Sequence, residues 1–298
     1  MGGGVCAKRS SSCLLPLRAN GMINGDNHQL SLIEADTLFR KEPLRTQGCS
    51  LSVHCLGPFR VYTNNKLISE WYGFKGQAIF KYLIAHHEKP ISSDILMDVL
   101  WPDANAEAAR RNLHHAIYSL RKALRQHDPS FYCIHLDHNS YCINPELSVW
   151  IDFVEFEHHA QAGRKWEAVD ELQKAIAEYG VAESLYLGDF LEEDPYEEWT
   201  GSQRQHLQHC YLQMTDRLSE MYMQQGEHAN TIALCQRILA RDKCHEPAHR
   251  RLMQCYLAQG QRHLAVHQFH VCEETLKSGV NLPLSEETLL LYKQIHTP

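Results

Sequence analysis

The sequence predicts a mainly α protein whose N-terminal part is α+β, and three observations carry that expectation. Apolar residues alternate at strand period from Leu51 to Tyr62, punctuated by Gly57-Pro58 and followed by a turn at Asn64-Asn65. Three stretches at helical period come next, and then two more strand-like runs. Beyond Trp150-Ile151-Asp152 the pattern is helical almost to the end, and part of it repeats. The 298 residues suffice for two ordinary domains. The expected division is a poorly ordered leader over 1–50, a winged helix-turn-helix with a small antiparallel sheet over 51–148, and an all-α helical repeat domain over 149–298.

The leader is rich in Gly, Ser and Asn. Ser31 and Glu34 stand at capping-box spacing, which fits a short helix over 32–40. The run Cys13-Leu14-Leu15-Pro16-Leu17 is too short for a secretory signal, and Arg18 interrupts it. No apolar run approaches the roughly 18 residues that span a bilayer, so a cytoplasmic protein without membrane contact is expected. Strands at 51–56 and 59–62, with a short one at Leu67-Ile68, make the small sheet. A first helix over 77–86 carries Ile79, Phe80, Leu83 and Ile84. A second over 92–100 opens on Ser92 with Asp94 in its first turn, both favourable at a helix start. Trp101-Pro102-Asp103 sets the turn into a third helix over 104–126. Strands at 131–136 and 141–144, joined by the polar tip 137–140, close the unit. In a winged helix-turn-helix of this order the third helix enters the major groove and the hairpin wing reaches adjacent backbone or minor groove.

The third helix also stands out by charge. Between Glu107 and Asp128 twenty residues contain no acid but do contain Arg110, Arg111, Arg121, Lys122 and Arg125. At 100° per residue, Leu113, Ala116, Ile117, Leu120, Ala123 and Leu124 form one apolar stripe. Arg111, His115, Tyr118 and Lys122 form the opposite stripe, flanked by His114 and Arg125. Such a helix can lie on a core while facing a phosphate backbone, although a solvated surface helix has the same look. Arginine grips guanine bidentately, which singles out Arg111 as a base reader. Tyr118 suits a sugar or a thymine methyl, or else packing against the wing; His115 suits a phosphate or simply solvent. Arg121 lies nearer the flank, where a phosphate contact is expected.

Charge is divided unevenly. Residues 1–50 carry about +2 and 51–150 about +1, whereas 151–298 hold thirteen Lys/Arg against twenty-three Asp/Glu, within a total of −7. An acidic half is poorly suited to nucleic acid and well suited to proteins. Within it Leu218, Tyr222, Gln225-Gly226 and Ile232 recur as Leu252, Tyr256, Gln259-Gly260 and Val266, each offset by 34 residues. That is the tetratricopeptide period, a stacked array of helix pairs. A looser copy is read around Gly163, with Trp166, Ala168, Val169 and Leu172.

Other chemistries find little support. G-x-S-x-G, G-x-x-x-x-G-K-[ST] and G-x-G-x-x-G are all absent, so no catalytic residue and no cofactor is expected. The acids Glu192, Glu193, Asp194, Glu197 and Glu198 read as a solvated or partner-facing loop rather than an acid/base site. The eleven cysteines show no C-x-x-C; Cys210, Cys235, Cys255 and Cys272 fall among leucines and read as reduced buried thiols. His263, His267 and His270, and the trio Cys244, His245 and His249, lack the H-E-x-x-H or C-x-x-C spacings of zinc sites, so no metal is expected.

The chain resembles the SARP-type bacterial transcriptional activators, named after Streptomyces antibiotic regulatory proteins. The likeness runs from Leu51 to Ile295 and rests on motifs in order: Leu56-Gly57-Pro58-Phe59, Asp98-Val99-Leu100-Trp101, Leu120-Arg121-Lys122-Ala123-Leu124, Gly188-Asp189-Phe190-Leu191 and the run 246–253. The resemblance implies an OmpR-like winged helix that binds direct-repeat promoter DNA. It also implies a helical bacterial transcriptional activator domain (BTAD) that supports dimer formation and contacts to transcription machinery. It puts Arg111, His115, Tyr118 and Lys122 on the DNA-facing side. Two departures stand out. Lys75-Gly76-Gln77 replaces an Arg-rich first-helix start, leaving Lys75 as the backbone contact there. At the wing tip Asn139-Ser140 replaces Gly-Gly or Pro-Gly, with His138 and Asn139 as the candidate contacts.

The expected function is therefore a transcriptional regulator, an activator that binds repeated promoter sites through the 104–126 helix. The candidate contact set is Arg110, Arg111, His114, His115, Tyr118, Arg121, Lys122, Arg125, Lys75, His138 and Asn139. Expected partners are double-stranded promoter DNA, a second copy of the chain on that DNA and RNA polymerase, with association to the nucleoid when bound. The competing class is a helical-repeat interaction scaffold without specific DNA binding.

Overall fold

The computed structural model describes residues 50–279 and 281–296, so the helix expected over 32–40 lies outside the described residues. Strands β1 (Leu51–His54), β2 (Arg60–Thr63) and β3 (Lys66–Leu67) form an antiparallel meander. Its tight β2–β3 turn places Asn64 at φ 47° and Asn65 at φ 62°, a left-handed pair that asparagine tolerates. All four residues of β1 are buried, because the strand is central. On its far side β7 (Val149–Ile151) pairs with it in parallel, giving the order β3-β2-β1-β7. The sheet is thus mixed, where the sequence pointed to antiparallel pairing alone; three residues are too few to show an alternation.

Helix α1 (Phe74–Ala85), strand β4 (Ile91–Ser92), helix α2 (Ser93–Leu100) and helix α3 (Ala106–Leu124) follow. Two side chains set the helix starts. Ser92 Oγ accepts from the Ile95 amide at 3.2 Å, and Asn105 Oδ1 from the Ala108 amide at 2.8 Å. The wing strands β5 (Ile134–Asp137) and β6 (Ser140–Ile143) join β4 in a second sheet of order β4-β6-β5. Leu113, Ala116, Ile117, Leu120, Ala123 and Leu124 of α3 are all buried in the core shared with both sheets, as their spacing predicts.

The remainder is helical: α4 (Asp152–Ala168), α5 (Leu172–Leu185), α6 (Gly201–Gln224), α7 (His228–Arg241), α8 (Glu246–Ala258), α9 (Arg262–Gly279) and α10 (Glu286–His296). The 34-residue repeat falls on the pairs α6–α7 and α8–α9. Its glycines, Gly226 at φ 75° and Gly260 at φ 72°, make the turn inside each pair in a conformation other residues resist. The looser copy differs. Gly163 lies inside α4, not at a turn, and a Cβ there would meet the Tyr179 ring of α5 at 2.4 Å. It is a close-packing glycine; the α4–α5 turn is made by Asp170 at φ 62°. Cys210, Cys235, Cys255 and Cys272 are buried free thiols, and burial pushes Cys235 and Cys272 up to about 12. No helix among the described residues is long and apolar enough to cross a membrane.

A buried seam joins the two parts. The Asp152 carboxylate, at the start of α4, accepts from the backbone N–H groups of Cys55 and Leu56 beyond β1 and of Phe153, each at 2.8 Å. Burial drives its pKa up to about 7 against the pull of those donors. Beside it, the Gly57 amide donates to the Asp189 carbonyl at 3.1 Å and the Leu191 amide to the Cys55 carbonyl at 2.8 Å. The motifs Leu56-Gly57-Pro58-Phe59 and Gly188-Asp189-Phe190-Leu191 therefore meet. They meet closely: a Cβ on Gly188 would stand 2.8 Å from the Gly57 Cα. Buried Lys81 of α1 pairs with Asp194 at 2.5 Å and lies over the Phe59 ring. Arg204 of α6 donates to the carbonyls of Phe190, Leu191 and Asp194. Asp194 thus pairs inside the fold, unlike the solvated or partner-facing loop expected of that acidic run.

Two stability outcomes follow. Asp152→Ala leaves three buried N–H donors without an acceptor, at about 1–3 kcal/mol for each, so the urea midpoint drops steeply. His54 is buried on β1 between Tyr62 and Trp150, and burial, with Arg60 nearby, lowers its pKa to about 4. Its folded pKa lies below the unfolded value of about 6.5. The neutral ring's contribution is thus present above pH 6.5 and lost as pH falls towards 4, up to about 3 kcal/mol. Thermal melts of His54→Phe against the parent between pH 6.5 and 4 should show a flatter slope in the variant.

Candidate nucleic-acid interface

The outer face of α3 is the residues its inner face leaves over. With the apolar stripe locked into the core, Arg110, Arg111, His114, His115, Tyr118, Lys122 and Arg125 all turn outward and are exposed. Tyr118 is 70% exposed, so it is not packed against the wing. Arg111 makes a loose 3.7 Å pair with Glu107, one helical turn back, with both side chains largely in solvent. Such exposed pairs contribute at most about 1 kcal/mol and yield readily to a phosphate. The Lys122 ammonium sits 4.1 Å from the centre of the Tyr72 ring.

Five further sequence candidates have partners within the fold. Half-buried Arg121 donates to the Ile134 carbonyl at 3.2 Å, and Arg125 Nε to the Phe131 carbonyl at 3.2 Å. Both tie the root of the wing to the C-terminal half of α3. Lys75 donates to the Leu100 carbonyl at 2.7 Å and faces the Trp101 ring, closing the C-terminal end of α2. At the wing tip His138 is exposed, with Nδ1 2.9 Å from Asp137. The tip's left-handed residue is His138, at φ 53°, and not Asn139. The Asn139 carbonyl instead accepts from the Ser93 amide and hydroxyl, anchoring the tip to the start of α2.

One part of this surface escaped sequence reading. Tyr72, at φ 49°, and Phe74, 90% exposed, precede and open α1 beside Lys75. Their signal was the aromatic cluster Trp71-Tyr72-Gly73-Phe74 next to a lysine, an interleaving that suits nucleic-acid backbone. It lies in no periodic segment, so the helical and strand templates pass over it.

Comparison with known proteins bears on the helical half. Residues 151–296 match the family described as bacterial transcriptional activator domain. Among solved structures, Mycobacterium tuberculosis EmbR, in complex with a low-affinity phosphopeptide, superposes with a TM-score of 0.66 at 19% identity. The match covers 83% of this chain and 65% of that one, so this chain spans under two thirds of the EmbR structure. The C-terminal TPR-containing domain of a Plasmodium falciparum FK506-binding protein matches at TM-score 0.36 and 14% identity, over 48% of this chain and 87% of that one, too loosely to bear on the fold. No curated protein sequence matches significantly. The EmbR likeness gives a common fold that takes in the winged helix, and the family match covers the helices that follow it. Residues 151–296 therefore carry a bacterial transcriptional activator domain, and the described chain shares its overall fold with EmbR.

Proposed function

We propose that the protein activates transcription by binding repeated promoter sites as a homodimer, with α3 in the major groove and the helical half in contact with RNA polymerase. The observation that carries this reading is α3 itself. One face is entirely buried, the other exposed, cationic and aromatic, and no acid occurs over twenty residues of a chain whose net charge is −7. On this reading 51–148 is the DNA-binding part and 149–298 the partner-binding part. The protein works in the cytoplasm at the nucleoid, as a regulator and not as an enzyme. Arg111 reads a base and Lys122 neutralises a phosphate, with Arg110, His114, His115 and Tyr118 beside them. His138 extends the contact from the wing. Lys75, Arg121 and Arg125 hold the frame and add charge near the backbone. Two protomers on a repeated site multiply their affinities through effective concentration.

The test is a fluorescence-anisotropy titration against the chain's own upstream DNA and a scrambled duplex at two salt concentrations. Selective binding that weakens by orders of magnitude from tens to hundreds of millimolar salt is expected. Binding that is equal on both duplexes and indifferent to salt would overturn the proposal in favour of a helical interaction scaffold.

Variants separate the roles. Arg111→Ala should lose about 1–3 kcal/mol of binding and relax the choice of sequence, whereas Lys122→Ala should weaken all duplexes alike and reduce the salt slope by about 1. Arg121→Ala should lower the melting temperature through the freed wing while changing the salt slope least of the three.

A further inference from the structure

Helix α4 carries a cluster that the DNA-binding function does not use. Glu155, His158 and His159 occupy positions i, i+3 and i+4, which bring one ligand atom from each within 4.8 Å of the others. Among the described residues this is the group of His, Cys, Asp and Glu that gathers in this way; neither histidine cluster of the repeats does. His249 shows why. It is buried, its Nε2 donates to the Lys243 carbonyl, and its Nδ1 accepts from Gln268, so no lone pair is left for an ion.

His159 is arranged differently. Its Nδ1 lies 2.6 Å from Oε2 of Glu178, across the hairpin on α5. A carboxylate only accepts, so Nδ1 carries the proton and the ring is fixed in orientation. Nε2 then faces the Glu155 carboxylate at 3.9 Å. These two acceptors stand within reach of one cation placed between them. A proton on Nε2 would serve, but it gives the neighbouring His158 ring, centred 5.3 Å from that of His159, no part to play. A metal ion uses all three. We propose that Glu155, His158 and His159 bind a divalent transition metal of the zinc type, with Glu178 holding His159 in its ligating tautomer.

The chemistry fits that class. Imidazole and carboxylate donors suit zinc, and bonds of about 2.0–2.2 Å need donor atoms a little over 3 Å apart. Small rotations of Glu155 and exposed His158 close that gap, with His159 as the fixed point. A carboxylate behind a ligating histidine is the usual supporting arrangement. Three adjacent protein ligands leave a coordination position for water or an outside donor. Glu155 also lines a cavity of about 270 Å³ with His87, Asn144, Leu147 and Val154. The ion would therefore sit where β7 runs into the helical half.

The test uses the full chain, stripped with chelator and titrated with Co2+ and then Zn2+, following the visible cobalt spectrum and heat of binding. One equivalent bound with a nitrogen–oxygen spectrum, abolished in H158A/H159A and weakened about 10–100-fold in E178Q, is expected. H263A/H267A should bind as the parent does. Should the double variant fail to fold, H158A alone removes a ligand from an exposed position and must still weaken binding. Undiminished binding in H158A, or a spectrum made only of thiolate charge transfer, would overturn the proposal.

Discussion

The arrangement of the molecule depends on one carboxylate. Asp152 is the first residue of the first helix of the activator domain, yet two of its acceptor bonds go to amides just beyond β1, nearly a hundred residues earlier. A buried carboxylate is tolerable only where donors surround it, and here backbone amides supply them. Because amides cannot move away independently, the helix start and the sheet edge are held in one geometry. Gly57 against Gly188, Lys81 against Asp194 and the three-carbonyl grip of Arg204 then close the same seam. The outward presentation of α3 follows from this frame, since α3 packs on α1 and α2 and its apolar stripe lies in the core they share with the sheets.

Much of the fold was legible in the sequence, and the reason is local. The faces of α3 follow from spacing alone, the start of α2 from Ser92, and the turns at Gly226 and Gly260 from a repeat and a residue type. What stayed hidden depends on partners distant in the chain. β7 is three residues that become a strand only because β1 offers an edge. Gly163 carries the same letter as Gly226 but serves a tyrosine ring on the next helix. The division of the cations is hidden in the same way: Arg121 and Lys122 are neighbours, yet one is drawn to a wing carbonyl and the other lies over Tyr72. The metal-ligating trio has no standard spacing, and Glu178, which orients it, lies nineteen residues away from His159.

The motifs that carry the family resemblance take on a physical meaning in this setting. Leu56-Gly57-Pro58-Phe59 and Gly188-Asp189-Phe190-Leu191 look unremarkable when read separately. In the fold each supplies what the other lacks, with one glycine opposite the other, a bridge between Leu56 and Phe190, and backbone donors and acceptors exchanged. They are the two halves of one joint. That accounts for their standing on either side of the boundary between the winged-helix part and the helical part.

The parallel strand β7 runs directly into α4, with Ile151 and Asp152 as adjacent residues, so the chain passes from one part to the other without a linker. A hinged protein can let its reading head search while its other half is held. This one has no such slack: turning the helical half turns α3 with it. If two copies pair through their helices, the angle of that pairing is carried to the two copies of α3. The pairing then becomes a caliper, set to one separation of half-sites along the helical repeat of DNA. On the proposed reading, substitutions in the seam would reset that separation without altering a residue of α3.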